Sequence, residues 1–216
     1  LGLTHRREQH GLVSRIEERI DEHLATVARL KGAAGDIAAC AKLVIEALRA
    51  GRRLYVLGNG GSAADAQHIA AELIGRFKHA GKPALPATAL TTDTSCLTAL
   101  GNDFGFEQIF ARQVEALVCP GDVVWALSVS GRSPNVLAAV ERARRCGARI
   151  IGFTGGGGEV LRQRCDACVT VDHSDSDRVQ EGHQLAYHIV CELIEREFVG
   201  GKNAAGSECR APGSGS

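Results

Sequence analysis

Two groups of side chains in this chain have the types and spacing of catalytic machinery. In the first, Gly58-Asn59-Gly60-Gly61-Ser62 leads into an Ala-rich stretch that carries His68 and Glu72. A four-residue step on a helix puts that imidazole and that carboxylate on one face. In the second, Gln180, Gln184 and His188 repeat the four-residue step near the end of the chain. Nitrogen and oxygen donors of this kind suit zinc, and an open coordination position would mark a catalytic site. Taken singly, His68 or His188 reads as a satisfied polar group on a helix. Their joint presence beside two anion-binding turns points to a site. Glu181 and His183 fall on other faces of the last helix and are given no ligand role.

The first turn follows the apolar run Leu54-Tyr55-Val56-Leu57. Its glycines allow positive φ and close approach of a ligand. Ser62 is expected to cap the helix that follows, whose free N–H groups attract a phosphate. A second turn, Ser128-Val129-Ser130-Gly131-Arg132-Ser133, follows Asp122–Leu127 and precedes a helix opening near Pro134. An ordinary capping turn needs one serine, and three hydroxyls beside a helix start suit a phosphate better. There is no Gly-Lys-Ser/Thr, so this is not a nucleotide P-loop. Gly58-x-Gly60-x-x-Ala63 also fits a dinucleotide fingerprint, but the next strand ends in Leu90-Thr91-Thr92-Asp93, where the acidic residue comes late. Asn102-Asp103 lies in a Gly-flanked segment between expected helices. It reads either as a loop with a cap at Asp103 or as recognition of hydroxyls on a polyol substrate.

The elements that must position these residues follow from periodicity. Leu12, Ile16, Ile20 and Leu24 mark a long amphipathic helix over 8–31. Gly32 to Gly35 breaks it, and Asp36 is expected to cap a second helix over 37–50. From residue 52 strands and helices alternate. Strands are expected at 53–57, 86–90, 122–128, 149–153 and 168–171. Helices are expected near 62–77, 94–100, 106–117, 134–146, 157–164 and 178–198. Such alternation implies right-handed crossovers and a parallel sheet covered on both faces. The expectation is α/β: a doubly wound five-stranded sheet in a flavodoxin-like three-layer sandwich with N-terminal helices. In such sheets ligands bind beyond the carboxyl ends of the strands, where both turns lie. The expected division is an N-terminal oligomerisation helix at 1–34, a sheet domain at 35–199 and a flexible tail at 200–216.

With 216 residues the chain can bury one good core. Lys+Arg and Asp+Glu both number 25, so no global basic surplus exists to draw nucleic acid. No apolar run approaches the ~20 residues of a membrane span. Leu1–Arg7 has no apolar core, so no secretory signal is expected there. The eight cysteines are scattered, and Cys165-Asp-Ala-Cys168 is a lone C-x-x-C, which reads as reduced thiols in the cytoplasm.

Together these segments resemble the phosphoheptose isomerase family of the sugar isomerase (SIS) domain superfamily, over roughly residues 35–198. The resemblance rests on Gly58 to Phe77, Ala89 to Ser95, Gly101 to Glu107, Ser128 to Val136 and Arg178 to His183. It implies conversion of sedoheptulose 7-phosphate to D-glycero-D-manno-heptose 7-phosphate through an enediol, the first step toward nucleotide-activated heptoses. It also implies a cytoplasmic homotetramer with interfacial sites and one zinc per subunit. By resemblance, zinc falls to His68, Glu72, Gln180 and His188, and phosphate to Ser62, Ser128, Ser130 and Ser133. Asn59, Gly60, Gly61, Asn102 and Asp103 fall to the sugar, and Glu72 and His188 to base and acid. One departure is Val129, where the family usually has Thr. A hydroxyl is lost beside the phosphate, although the backbone N–H of Val129 remains. Two rival readings remain: a non-catalytic SIS tetramer that binds a protein partner, and an SIS isomerase of another phosphosugar. The non-catalytic relative lacks the family's Glu and terminal His, which this chain has.

Overall fold

The structure, a computed structural model, describes residues 2–200, with side chains from residue 11 onward. The expected tail at 200–216, and Cys209 within it, lies beyond the described residues except for Gly200. The elements run α1 (Gly2–Arg29), a 3-10 turn (Leu30–Ala33), α2 (Ala34–Arg49), β1 (Leu54–Gly58), α3 (Gly61–Ile74) and β2 (Ala87–Ala89). They continue with α4 (Thr94–Phe104), a second 3-10 turn (Phe106–Gln108), α5 (Ala111–Leu117), β3 (Val123–Ser128) and α6 (Pro134–Arg145). The chain closes with β4 (Arg149–Gly155), α7 (Glu159–Arg162), β5 (Ala167–Val171) and α8 (Ser176–Phe198).

The five strands form one sheet in the order β2-β1-β3-β4-β5, every pair parallel. Alternate strand residues face opposite layers. Leu54, Val56, Val123, Trp125, Leu127, Ile151 and Phe153 pack under α2, α3 and α8. Tyr55, Leu57, Val124, Ala126 and Ile150 pack under α5 and α6 on the other face. Both faces are dry, which is why the strands read as continuous apolar runs. The strand order reverses direction at β1 and β3, and the two serine- and glycine-rich turns leave their carboxyl ends side by side. That is where a doubly wound sheet opens a crevice.

Several local expectations are corrected. Gly32 to Gly35 do not break the chain: a 3-10 turn carries α1 into α2, whose N-cap is Ala33, so Asp36 lies inside the first turn and caps nothing. The helix expected at 106–117 is split. Gly105, at φ 85°, and a 3-10 turn come first, and Ile109 and Phe110 drop into the core before α5 begins. The helix expected at 157–164 is a single turn, because Gly155 to Gly158 precede it. α3 stops at Ile74, where Gly75 follows.

Candidate active site

The first turn is built on backbone geometry. Gly60, at φ 55°, is the N-cap of α3. Ser62 is therefore not the cap: it lies in the first helical turn and is buried. Gly58 lies so close to α3 that a Cβ there would meet the Ser62 side chain at 2.7 Å and the Leu127 carbonyl at 2.9 Å. The second turn pivots at Gly131, at φ 61°, where a Cβ would collide with Gly158 at 2.5 Å. Within it, Ser128 Oγ and Ser133 Oγ lie 3.1 Å apart, and Arg132 N–H donates to the exposed Ser130 Oγ. The two turns are tied by a reciprocal amide pair, Asn59 Nδ2 to Asn135 Oδ1 and Asn135 Nδ2 to Asn59 Oδ1, each 2.8 Å. Sequence reasoning assigned Asn135 no role. Its place just inside a helix after Pro134 was the available signal.

Between the turns lies a pocket of about 320 Å³. Asn59, Gly60, Gly61 and Ser62 form one wall, and Ser128, Val129, Ser130 and Ser133 form another. Ser176 and Gln180 of α8 close it. The Gln180 amide lies over Gly61, within 2.7–2.9 Å of where a Cβ would stand, so that glycine makes room for it. Val129 lines the pocket but also packs against the core under α8. Asn102 and Asp103 are not in a loop. They occupy the last turns of α4, exposed and bonded to each other at 2.8 Å, and neither lines this pocket. The cap of α4 is Asp93, which accepts from Cys96 N–H.

Further along α3 and α8, three donors converge. His68, Glu72 and His188 each present a ligand atom, and these atoms lie within 4.8 Å of one another. His68 Nε2 is 2.9 Å from Glu72 Oε1. Gln180 lies two turns earlier on α8 than His188, about 12 Å along the axis. Phe77 stacks flat on His188, with centroids 5.5 Å apart and ring planes 7° apart. Burial holds His188 below the ordinary imidazole range, and the neighbouring His68 pushes the same way. Behind His68 stand Tyr187 and Asp65, whose burial raises both pKa values. Neither was singled out from sequence. Glu181 turns away to His23 and Arg178, and His183 is buried against Phe153. The seven described cysteines are free thiols, and they contribute to no metal-binding cluster among the described residues.

The SIS domain family matches residues 18–155. A curated phosphoheptose isomerase from Geotalea uraniireducens is 51% identical over 190 residues, covering 88% of this chain and 100% of the relative. One from Geobacter sulfurreducens is 55% identical over 165 residues, covering 76% of this chain and 87% of the relative. The chain belongs to the phosphoheptose isomerase family. The solved structure of a phosphoheptose isomerase from Francisella tularensis superposes with a TM-score of 0.82 at 34% identity, covering 85% of this chain and 98% of that one. Its counterpart from Neisseria gonorrhoeae gives 0.74 at 39% identity, covering 84% and 99%. The chain is thus an isomerase with the SIS fold, and the serine turns and the His–Glu–His trio are its candidate machinery. No helix among the described residues is long and apolar enough to cross a membrane.

Proposed function

We propose that the chain isomerises D-sedoheptulose 7-phosphate to D-glycero-D-manno-heptose 7-phosphate, the entry to nucleotide-activated heptoses. The observations that carry the reading are a hydroxyl-lined anion pocket between the two turns and, further along the same two helices α3 and α8, a carboxylate grouped with two imidazoles. The remote phosphate sits against Ser62, Ser128, Ser130 and Ser133 and orients the sugar, which supplies positioning rather than chemistry. Asn59, Gly60, Gly61 and Gln180 contact the sugar. Asn102 and Asp103 reach sugar hydroxyls only if a neighbouring subunit brings them there.

The reaction moves a proton between two carbons. Glu72 takes a proton from C1 while His188 gives one to the C2 carbonyl oxygen, which makes a cis-enediol. The C1 hydroxyl then returns a proton to His188 as the aldehyde forms, and Glu72 delivers its proton to C2. Glu72 can carry the carbon-bound proton because its carboxylate is half-buried and held at His68.

The trio also fits a metal. Two imidazoles and a carboxylate within 4.8 Å are a donor set that zinc accepts. His68, Glu72 and His188 would hold it, with Gln180 the fourth ligand implied by the family. When bound, zinc supplies polarisation of the carbonyl oxygen. The exposed stripe Leu12, Val13, Ile16, Ile20 and Leu24 on α1 supports self-association, read as a homotetramer with residues 1–34 as its assembly helix and 35–199 as the catalytic domain. The family resemblance implies a cytoplasmic enzyme. The test is incubation with sedoheptulose 7-phosphate, with zinc and then with chelator, followed by product detection. Zinc-dependent aldose formation is expected. Absence of product from zinc-loaded protein overturns the proposal.

A further inference from the structure

Behind the trio lies a short chain of hydrogen bonds that the proposed reaction does not use. Asp65 and His68 are three residues apart on α3 and share a face. Tyr187, fully buried on α8, brings its hydroxyl between them. The hydroxyl oxygen is 3.0 Å from His68 Nδ1 and 3.3 Å from Asp65 Oδ1. The other Asp65 oxygen, Oδ2, is buried with no partner. On the far side of the ring, His68 Nε2 faces Glu72 Oε1 at 2.9 Å.

We infer that Tyr187 and Asp65 are positioning residues that set the tautomer of His68, the Tyr187 hydroxyl turning from His68 to Asp65 when a divalent cation enters between His68 and Glu72. The inference rests on the proposed metal reading of the trio.

The count of available hydrogens decides which way the hydroxyl turns. An ionised carboxylate only accepts, so without a cation a neutral His68 must carry its proton on Nε2 and give it to Glu72. Nδ1 is then an acceptor, and the single hydroxyl hydrogen of Tyr187 goes to it. Asp65 receives nothing in that state. A cation takes the Nε2 lone pair, so the ring proton must sit on Nδ1. Nδ1–H then donates to the Tyr187 oxygen, and the hydroxyl hydrogen turns to Asp65. One ring proton exchanges from Nε2 to Nδ1 through solvent, and the tyrosine keeps its own. A buried carboxylate left without a donor is unfavourable, so Asp65 favours the second state. The pair therefore biases His68 toward the tautomer that binds metal. Outer partners of metal-bound histidines act this way, and their loss weakens metal binding by about 10–100-fold.

Two measurements test this at pH 8. In wild-type protein labelled with 15N-histidine, the His68 proton should lie on Nε2 without metal and on Nδ1 after zinc loading. Competition against a chromogenic chelator should show zinc bound about 10–100-fold more weakly by Tyr187→Phe, which keeps the ring and loses only the hydroxyl. Equal zinc affinity in the folded Phe variant overturns the inference and leaves the metal reading standing. So does a loaded wild-type His68 with Nδ1 unprotonated, a result that needs no variant to fold. Wild-type protein that takes up no zinc overturns the metal reading and the inference together.

Discussion

His183 should make this protein acid-sensitive by a predictable amount. Its side chain is 0% exposed, tilted against Phe153 with centroids 5.5 Å apart, and neither ring nitrogen has a hydrogen-bond partner. Burial lowers its pKa to about 4, and the weak pull of the Thr154 backbone does not offset that. In the unfolded chain the value is near 6.5. Above pH 6.5 the ring is neutral in both states and has no pH-dependent effect. Between pH 6.5 and 4 the unfolded chain takes the proton and the folded one does not, so stability falls as pH falls. Below pH 4 both states are charged and the loss levels off. At about 1.4 kcal/mol per unit the whole loss is about 3–4 kcal/mol, roughly three-quarters of it reached by pH 4.5. The assay is urea unfolding of wild type and His183→Gln at pH 7.5 and 4.5, at one protein concentration, because assembly also contributes to apparent stability. Other groups titrate alike in both proteins and cancel in the comparison. Wild type should lose roughly 2–3 kcal/mol more than the variant between the two pH values. Equal losses would refute the claim that His183 is buried and neutral.

Other outcomes are as specific. Glu72→Gln should lower kcat by about 10²–10⁴-fold with the fold intact by circular dichroism, and near-normal turnover would remove Glu72 as the proton carrier. Val129→Thr should cost about 1 kcal/mol, since its side chain packs partly on the core, with a melting point about 2–4 °C lower. An unchanged melting point with a lowered KM would instead place the new hydroxyl on the phosphate. Deleting residues 1–31 should weaken association, and an unaltered assembly by light scattering would count against the α1 stripe as its seam.

The glycine turns and the i,i+4 pair His68 and Glu72 were legible because backbone chirality and helix period are local properties. The five strands and their alternation with helices were legible for the same reason, whereas their order in the sheet is set by non-local pairing. The partners of these residues were not legible. Tyr187 looks like core filling in the sequence, and only the docking of α8 on α3 shows its hydroxyl between His68 and Asp65. Ser62 has the chemistry of a cap, but a positive φ at Gly60 moved the helix start by two residues. Asn102 and Asp103 looked like loop residues because Gly101 and Gly105 flank them. Gly101 is instead tolerated inside α4, and only Gly105 ends it.

The stretch from Gly75 to Pro86 has no helix or strand, yet it carries Phe77 onto His188. Two buried ions fasten it. The Glu195 carboxylate accepts from the Phe77 and Lys78 amides at 3.1 and 2.7 Å. The Lys82 ammonium gathers the Leu73 and Gly75 carbonyls at the frayed end of α3. Those amide bonds hold Glu195 below the ordinary carboxylate range against the opposing effect of burial, so its grip persists at neutral pH and is lost only as acid protonates it. These contacts are made by two side chains rather than by strand pairing, so the stretch is fastened separately from the sheet. Amide exchange at Phe77 and Lys78, compared with that of the strands, is therefore expected to report how firmly the aromatic cover over His188 is held.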